Sequence, residues 1–236
     1  MFILKLGELK IKINNKYSFI EKQCHDYIIN SNDYDFEITV LDEELNEELN
    51  NSYYDNNSFS LGYIESICAY RKICLILPNY NCMLLHAAVV KVDNDAYAFC
   101  AKSGTGKTTH TKLWQQLLGD RFSYINGDKP IIKIINGIPY AYGSPWCGKE
   151  NYGNNTSCKL KAIAFIERDT TNSIHSIPKN LILSRIAHQI LLPKDIDSVN
   201  KTFDILNSII QNTKTYLIKC NMELEAAKIS YNEMKK

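Results

Sequence analysis

The chain has 236 residues, 45% of them hydrophobic and 22% charged, with a formal net charge of +1. Such a composition suits a globular chain of one large domain, or a small domain beside a catalytic one. It gives no reason to expect nucleic acid or a membrane as a partner. The charge is uneven: residues 1–60 carry 12 acidic and 5 basic side chains, the remainder 14 and 22. A basic part suits an enzyme for anionic ligands; a solvated acidic face explains the amino-terminal excess equally well.

Eight cysteines, at positions 24, 68, 74, 82, 100, 147, 158 and 220, form no C-x-x-C pair and no zinc spacing. Several lie in apolar runs, such as Ile73-Cys74-Leu75-Ile76-Leu77, and read as reduced, buried thiols of a cytoplasmic protein. No apolar run approaches the length of a membrane-spanning helix. Met1-Phe2-Ile3-Leu4-Lys5 meets a charge too soon for a signal peptide.

In chain order, Phe2–Ile13 alternates apolar and polar residues and predicts a strand pair, with a turn at Asn14-Asn15. Tyr27–Ile29 and Phe36–Leu41 are further strand candidates, and Asp42–Asn50 an acidic, exposed helix. Asn50–Ser60 is polar and linker-like. Residues 1–60 are thus expected to form a small, mainly β amino-terminal region, and residues 61–236 the larger domain. Ser60–Leu77 has helical spacing and ends at Pro78.

Met83–Val92 predicts a buried strand carrying His86. Asp93-Asn94-Asp95 turns into a second strand, Ala96–Cys100, so short a turn making the pair antiparallel. The stretch Ala101-Lys102-Ser103-Gly104-Thr105-Gly106-Lys107-Thr108-Thr109 follows. It matches G-x-x-x-x-G-K-[ST] except that Ala101 stands for the first glycine. Gly104 and Gly106 let the backbone curl around an anion, to which Ser103, Thr105 and Thr109 add contacts. Lys107 supplies a positive charge for the β- and γ-phosphates, and Thr108 a hydroxyl for Mg²⁺. His110, Leu113, Trp114 and Leu117 then mark a helix closed by Gly119, so strand, loop and helix come in the order a phosphate site needs.

Arg121–Ile125 is a strand candidate, followed by Asn126-Gly127-Asp128-Lys129-Pro130. Ile131–Ile135 and Ile138–Tyr142 flank an Asn136-Gly137 turn and predict a hairpin. A loop, Gly143–Gly153, contains Trp146, Lys149 and Glu150. Leu160–Glu167 is a strand, Leu183–Leu191 a helix ended by Pro193, Val199–Ile210 a helix, and Thr215–Lys219 a strand. Asn221 is expected to cap a last helix. By residue type alone, Asp128 is either a catalytic carboxylate or a turn former, and His86 reads more readily as a core histidine. Trp146 suits a buried anchor, and Lys149, Arg168, Arg185, Asn151, Asn154 and Asn155 serve equally as ligand contacts or surface residues.

Leu-Leu-His86-Ala-Ala, the glycine loop, Gly-Asp128-Lys-Pro130 and Gly-Ser-Pro145-Trp146-Cys-Gly-Lys149-Glu150 resemble the HPr kinase/phosphorylase family, especially its small firmicute relatives. The likeness spans about residues 60–236 and is strongest from 84 to 168. It implies a P-loop kinase core of α/β (α+β) class, related to phosphoenolpyruvate carboxykinase, with a mixed, largely antiparallel sheet flanked by helices. It implies an ATP- and Mg²⁺-dependent kinase acting on a hydroxyl acceptor: a serine or threonine of a peptide or small protein, or a small molecule such as free serine. A phosphatase or phosphorylase activity through the same site, and a nucleotide-binding regulator without catalysis, are the alternatives. Lys107 and Thr108 match the family's phosphate-loop lysine and metal ligand. Asp128 matches the proton acceptor, His86 the active-site histidine, and Glu150 falls near a second Mg²⁺ ligand. Gly127 replaces the first of two adjacent aspartates. The amino-terminal region has no counterpart in the full-length kinases, so their hexameric assembly does not carry over, and homo-oligomerisation stays open.

Overall fold

The computed structural model describes residues 1–50 and 59–236; all but the ends of the expected linker lie outside the described residues. The fold is mixed α/β, and its contacts gather into two units, Met1–Leu77 and Pro78–Lys236. The boundary therefore falls after the helix at 61–76 rather than before it, as the sequence had suggested.

In the first unit, β1 (Phe2–Leu6) and β2 (Leu9–Asn14) form the expected hairpin. Its turn places Gly7 and Glu8 at φ 57° and 69°. α1 (Ser18–Gln23), β3 (Ile28–Ile29), β4 (Phe36–Thr39), α2 (Asp42–Leu49) and α3 (Leu61–Ile76) complete it. The sheet order is β3-β1-β2-β4, with β4 parallel to β2. Leu4, Leu6, Leu9, Ile11 and Ile13 fill its buried face. The region is α+β rather than mainly β. Tyr27 lies in a 3-10 turn, which leaves β3 only two residues. α2 is not simply an exposed acidic helix, because Leu45 and Glu48 are buried and Glu48 pairs with Arg71 of α3. A Cβ at Gly62 would lie 2.7 Å from Phe19 Cβ, so glycine lets α3 approach α1.

The second unit comprises β5 (Cys82–Leu84), β6 (Ala88–Val92), β7 (Asp95–Cys100), α4 (Lys107–Leu118), β8 (Phe122–Asn126), β9 (Ile131–Ile135), β10 (Ile138–Tyr142), β11 (Ser157–Arg168), β12 (Ser173–Ser176), α5 (Lys179–Ile186), α6 (Ile196–Asn212), β13 (Lys214–Cys220) and α7 (Leu224–Met234). The main path of its sheet is β5-β9-β10-β11-β7-β6-β8. One edge of the long β11 is shared, β10 pairing near Lys159 and β13 from Ala162 onward. The pairs β11–β7 and β11–β13 are parallel; β6–β7, β6–β8, β9–β10, β10–β11, β5–β9 and β12–β13 are antiparallel.

Side chains of β7 alternate between two cores, as a strand buried on both faces requires. Ala96, Ala98 and Cys100 join Ile205, Leu206 and Ile209 of α6. Tyr97 and Phe99 join Trp114 of α4 and Ala226, Ala227 and Met234 of α7. The sheet is thus sandwiched between helices, and β7, the strand that leads into the glycine loop, is packed on both faces.

Three expectations change. The single strand Met83–Val92 is two: β5 pairs with β9, β6 with β7 and β8, and His86 sits in the break where the chain changes partners. The helix expected at 183–191 is α5 plus a 3-10 turn at Ala187–Gln189. Glu223 rather than Asn221 is the N-cap of α7; Asn221 instead accepts Glu223 N–H through Oδ1.

Candidate active site at the phosphate loop

β7 runs straight into the loop, and α4 starts at its far end with Gly106 as N-cap. Gly104 and Gly106 have φ 76° and 124°. A Cβ at either would touch nothing, so conformation rather than crowding demands glycine there. Ala101 does not appear among the described residues with positive φ, so it fits where the motif has glycine. Thr105 N–H donates to Lys102 C=O and closes the curl. Ser103, Gly104 and Thr109 are exposed, while Thr105, Gly106 and Thr108 are half-buried around the α4 N-terminus, where the helix dipole favours an anion.

Lys107 is 9% exposed. Its Nζ donates to Ala101 C=O at 3.2 Å and lies 3.0 Å from His86 Nε2. That same Nε2 lies 3.1 Å from Asp128 Oδ1. One ring nitrogen therefore faces an ammonium and a carboxylate. With its lone pair free it accepts from Lys107; carrying hydrogen it donates to Asp128; it cannot do both at once. Burial lowers the Lys107 pKa, with Asp128 opposing that effect. Burial also pushes the Asp128 carboxyl up, but the His86 hydrogen bond and the Lys129 ammonium, 3.3 Å away, hold it below the ordinary carboxylate value.

Asp128 is placed by Asn126, a buried residue that residue type alone did not single out. Asn126 Oδ1 accepts from Asp128 N–H at 2.8 Å and from Lys129 N–H at 2.6 Å. Its Nδ2 donates to the carbonyl and hydroxyl of Ser144. Asn followed by Gly-Asp is the turn signal that would have found it. Backbone bonds from Leu85 N–H to Pro130 C=O, Ala87 N–H to Asp128 C=O and His86 N–H to Gln189 C=O fix the strand break against this turn. Gly127 stands where the resembled family carries an acid, and space there is tight: a Cβ would lie 3.1 Å from Cys147 O and 3.2 Å from Tyr152 O. Gly148, at φ 80°, brings the 143–153 loop so close that its Cβ would meet Asp128 Cβ at 3.0 Å.

Trp146 is buried, an anchor for that loop, and Lys149 and Glu150 are exposed at its tip. The Glu150 charge is felt by Tyr124, whose hydroxyl lies 3.0 Å from Thr111 Oγ1, one turn beyond Thr108. Among the described residues no cluster of three or more His, Cys, Asp or Glu could hold a metal. Thr108 and Glu150 are therefore candidates only in company with a ligand's own oxygens. No described helix is long and apolar enough to cross a membrane.

A cleft of about 660 Å³ opens beside the loop, walled by residues 100–105, the end of β11 and the stretch from Arg185 to Gln189. Arg185 pairs with Glu167 at 2.9 Å, and Arg168 bonds to the carbonyls of Gly104 and Thr105. Gln189 is 6% exposed, and its Oε1 has no hydrogen-bond partner among the described residues. A buried lysine at a helix start, next to a loop with two positive-φ glycines, fits an anionic ligand such as a polyphosphate; the cleft is lined by the loop but not by Lys107, His86 or Asp128.

No protein-family model matches the chain, and no curated protein matches it in sequence. Among solved structures it is similar to the Hpr(Ser) kinase/phosphatase from Coxiella burnetii, at 8% identity and a TM-score of 0.37, over 64% of this chain and 95% of that one. A likeness at that score bears neither on activity nor on the roles of residues.

Gly127→Asp should destabilise the protein by about 1–3 kcal/mol, because the new side chain would press on two backbone carbonyls and set a carboxylate beside them; an unchanged melting temperature would contradict the packing at this turn. Asp128, with its folded-state pKa lowered, contributes stability above the ordinary carboxylate pKa and loses it as pH falls through the folded value. Urea unfolding of the wild type and Asp128→Asn should therefore converge between about pH 5 and about pH 2. A gap that stays constant over that range would be the opposite result.

Proposed function

We propose that this chain is a nucleotide-dependent phosphotransferase that moves the γ-phosphoryl group of ATP to a hydroxyl acceptor: a serine or threonine side chain of a peptide or small protein, or a small hydroxyl compound. The observation that supports this is the convergence of Lys107 and Asp128 on one ring nitrogen of His86 beside the glycine loop.

Phosphoryl transfer depends mainly on positioning and on neutralising charge around the phosphorus. The loop amides of residues 103–108 bind the phosphate oxygens, and the Lys107 ammonium balances charge on the β- and γ-phosphates. The acceptor oxygen forms a bond to the γ-phosphorus, the bond to the bridging oxygen breaks, and ADP departs. The acceptor proton passes to the Asp128 carboxylate, which its low pKa keeps ionised. Phosphate oxygens compete with His86 for the Lys107 ammonium. Once Lys107 turns to them, His86 Nε2 is free to carry hydrogen and to orient Asp128. Thr108, with Glu150 as a further candidate, would hold Mg²⁺ together with the phosphates, and the ion would supply charge neutralisation there.

Incubation with labelled ATP and a panel of acceptors (free serine, serine- and threonine-containing peptides, polyols), followed by mass spectrometry, tests the reading. Asp128→Asn should lower turnover about 10²–10⁴-fold while nucleotide affinity stays nearly unchanged. An unaltered rate in Asp128→Asn refutes the base assignment, and tight ATP binding with no product from any acceptor makes the protein a nucleotide-binding regulator.

A further inference from the structure

We propose that Arg168 is a positioning residue for the phosphate loop, holding its carbonyls outward so that its amides converge on the anion; this rests on reading the loop as a polyphosphate site. β11 runs parallel to β7 with Phe165 opposite Cys100. At roughly 3.3 Å per residue, Arg168 stands level with residue 103, where the loop begins to curl. The guanidinium reaches two consecutive carbonyls: Nε donates to Thr105 C=O at 3.0 Å and Nη2 to Gly104 C=O at 2.5 Å.

Peptides beside glycine turn over easily, because no Cβ resists rotation. An inward-turned carbonyl at 104 or 105 would face a phosphate with like charge. The guanidinium fork removes that freedom and sets a permanent positive charge behind the cradle. The neighbouring charges leave Arg168 to this task. Glu167 is taken by Arg185, and Arg168 has no ion pair among the described residues. Its hydrogen bonds go to the loop backbone, so it acts on the shape of the loop. A lysine has a single point of charge and cannot span both carbonyls.

Two measurements on the full chain test this. ATP binding by calorimetry should weaken about tenfold in Arg168→Ala and less in Arg168→Lys, the conservative change giving partial rescue. Amide hydrogen exchange in the nucleotide-free protein should speed up over residues 102–106 in Arg168→Ala and remain unchanged in β7 and α4, which a general loss of stability would not produce. ATP affinity in Arg168→Ala within twofold of the wild type overturns the positioning role and leaves the phosphotransferase reading standing. A wild type that binds no ATP overturns the phosphotransferase reading. In that case faster loop exchange still supports the hold of Arg168 on the loop, and unchanged exchange overturns it.

Discussion

A lysine ammonium buried at the start of a helix is the constraint on which the rest of the site depends. Lys107 sits under the first turn of α4 with its charge turned inward, where burial disfavours it. Its neighbours answer that cost: a backbone carbonyl from Ala101, the ring of His86, and the nearby charge of the Asp128 carboxylate. Two of the three partners come from distant segments, so the position of one charge ties together the strand break at 85–87, the turn at 126–130 and the loop itself. An anion placed in the cradle would compete for the same ammonium, which makes the arrangement responsive to a ligand as well as stable.

The sheet makes this convergence possible. The antiparallel hairpin of β6 and β7 brings the residue that leads into β6, His86, to the same end as the phosphate loop. The bridge from β5 to β9 sets the Asp128 turn beside it. β11, parallel to β7, reaches past the loop and carries Glu167 and Arg168 to its flank, so that one side chain grips α5 and the next grips the loop. Both faces of β7 are buried against helices, so the loop is attached to a strand that cannot give way.

Much of this was legible in the residues. The glycine spacing, both hairpins, the Asn136-Gly137 turn at φ 50° and 78°, and the α4 periodicity all emerged as expected. Local chemistry dictates those features, and local chemistry can be read along a chain. Other features depended on distant partners. Residues 83–92 are apolar apart from His86 and Lys91, a pattern that a single strand also gives, so nothing in it marks the exchange of neighbours that lifts His86 out of a strand. α1 is too short to declare a period. The Asn-Gly-Asp signal marks a turn at Asn126, but only the fold sets Ser144 opposite its carboxamide. Arg168 reads as a surface charge until the parallel register sets it beside the loop carbonyls. The boundary between the units depended on what α3 packs against, which no composition shift along the sequence reveals.

The most direct test of the central claim is a crystal structure of the protein with Mg²⁺ and a non-hydrolysable ATP analogue. The account predicts the triphosphate in the curl of residues 103–108, the Lys107 ammonium moved from His86 to the phosphate oxygens, and the Asp128 carboxylate facing the terminal phosphate. A nucleotide bound elsewhere, or a bound triphosphate with Lys107 still held by His86 and Ala101, would contradict it.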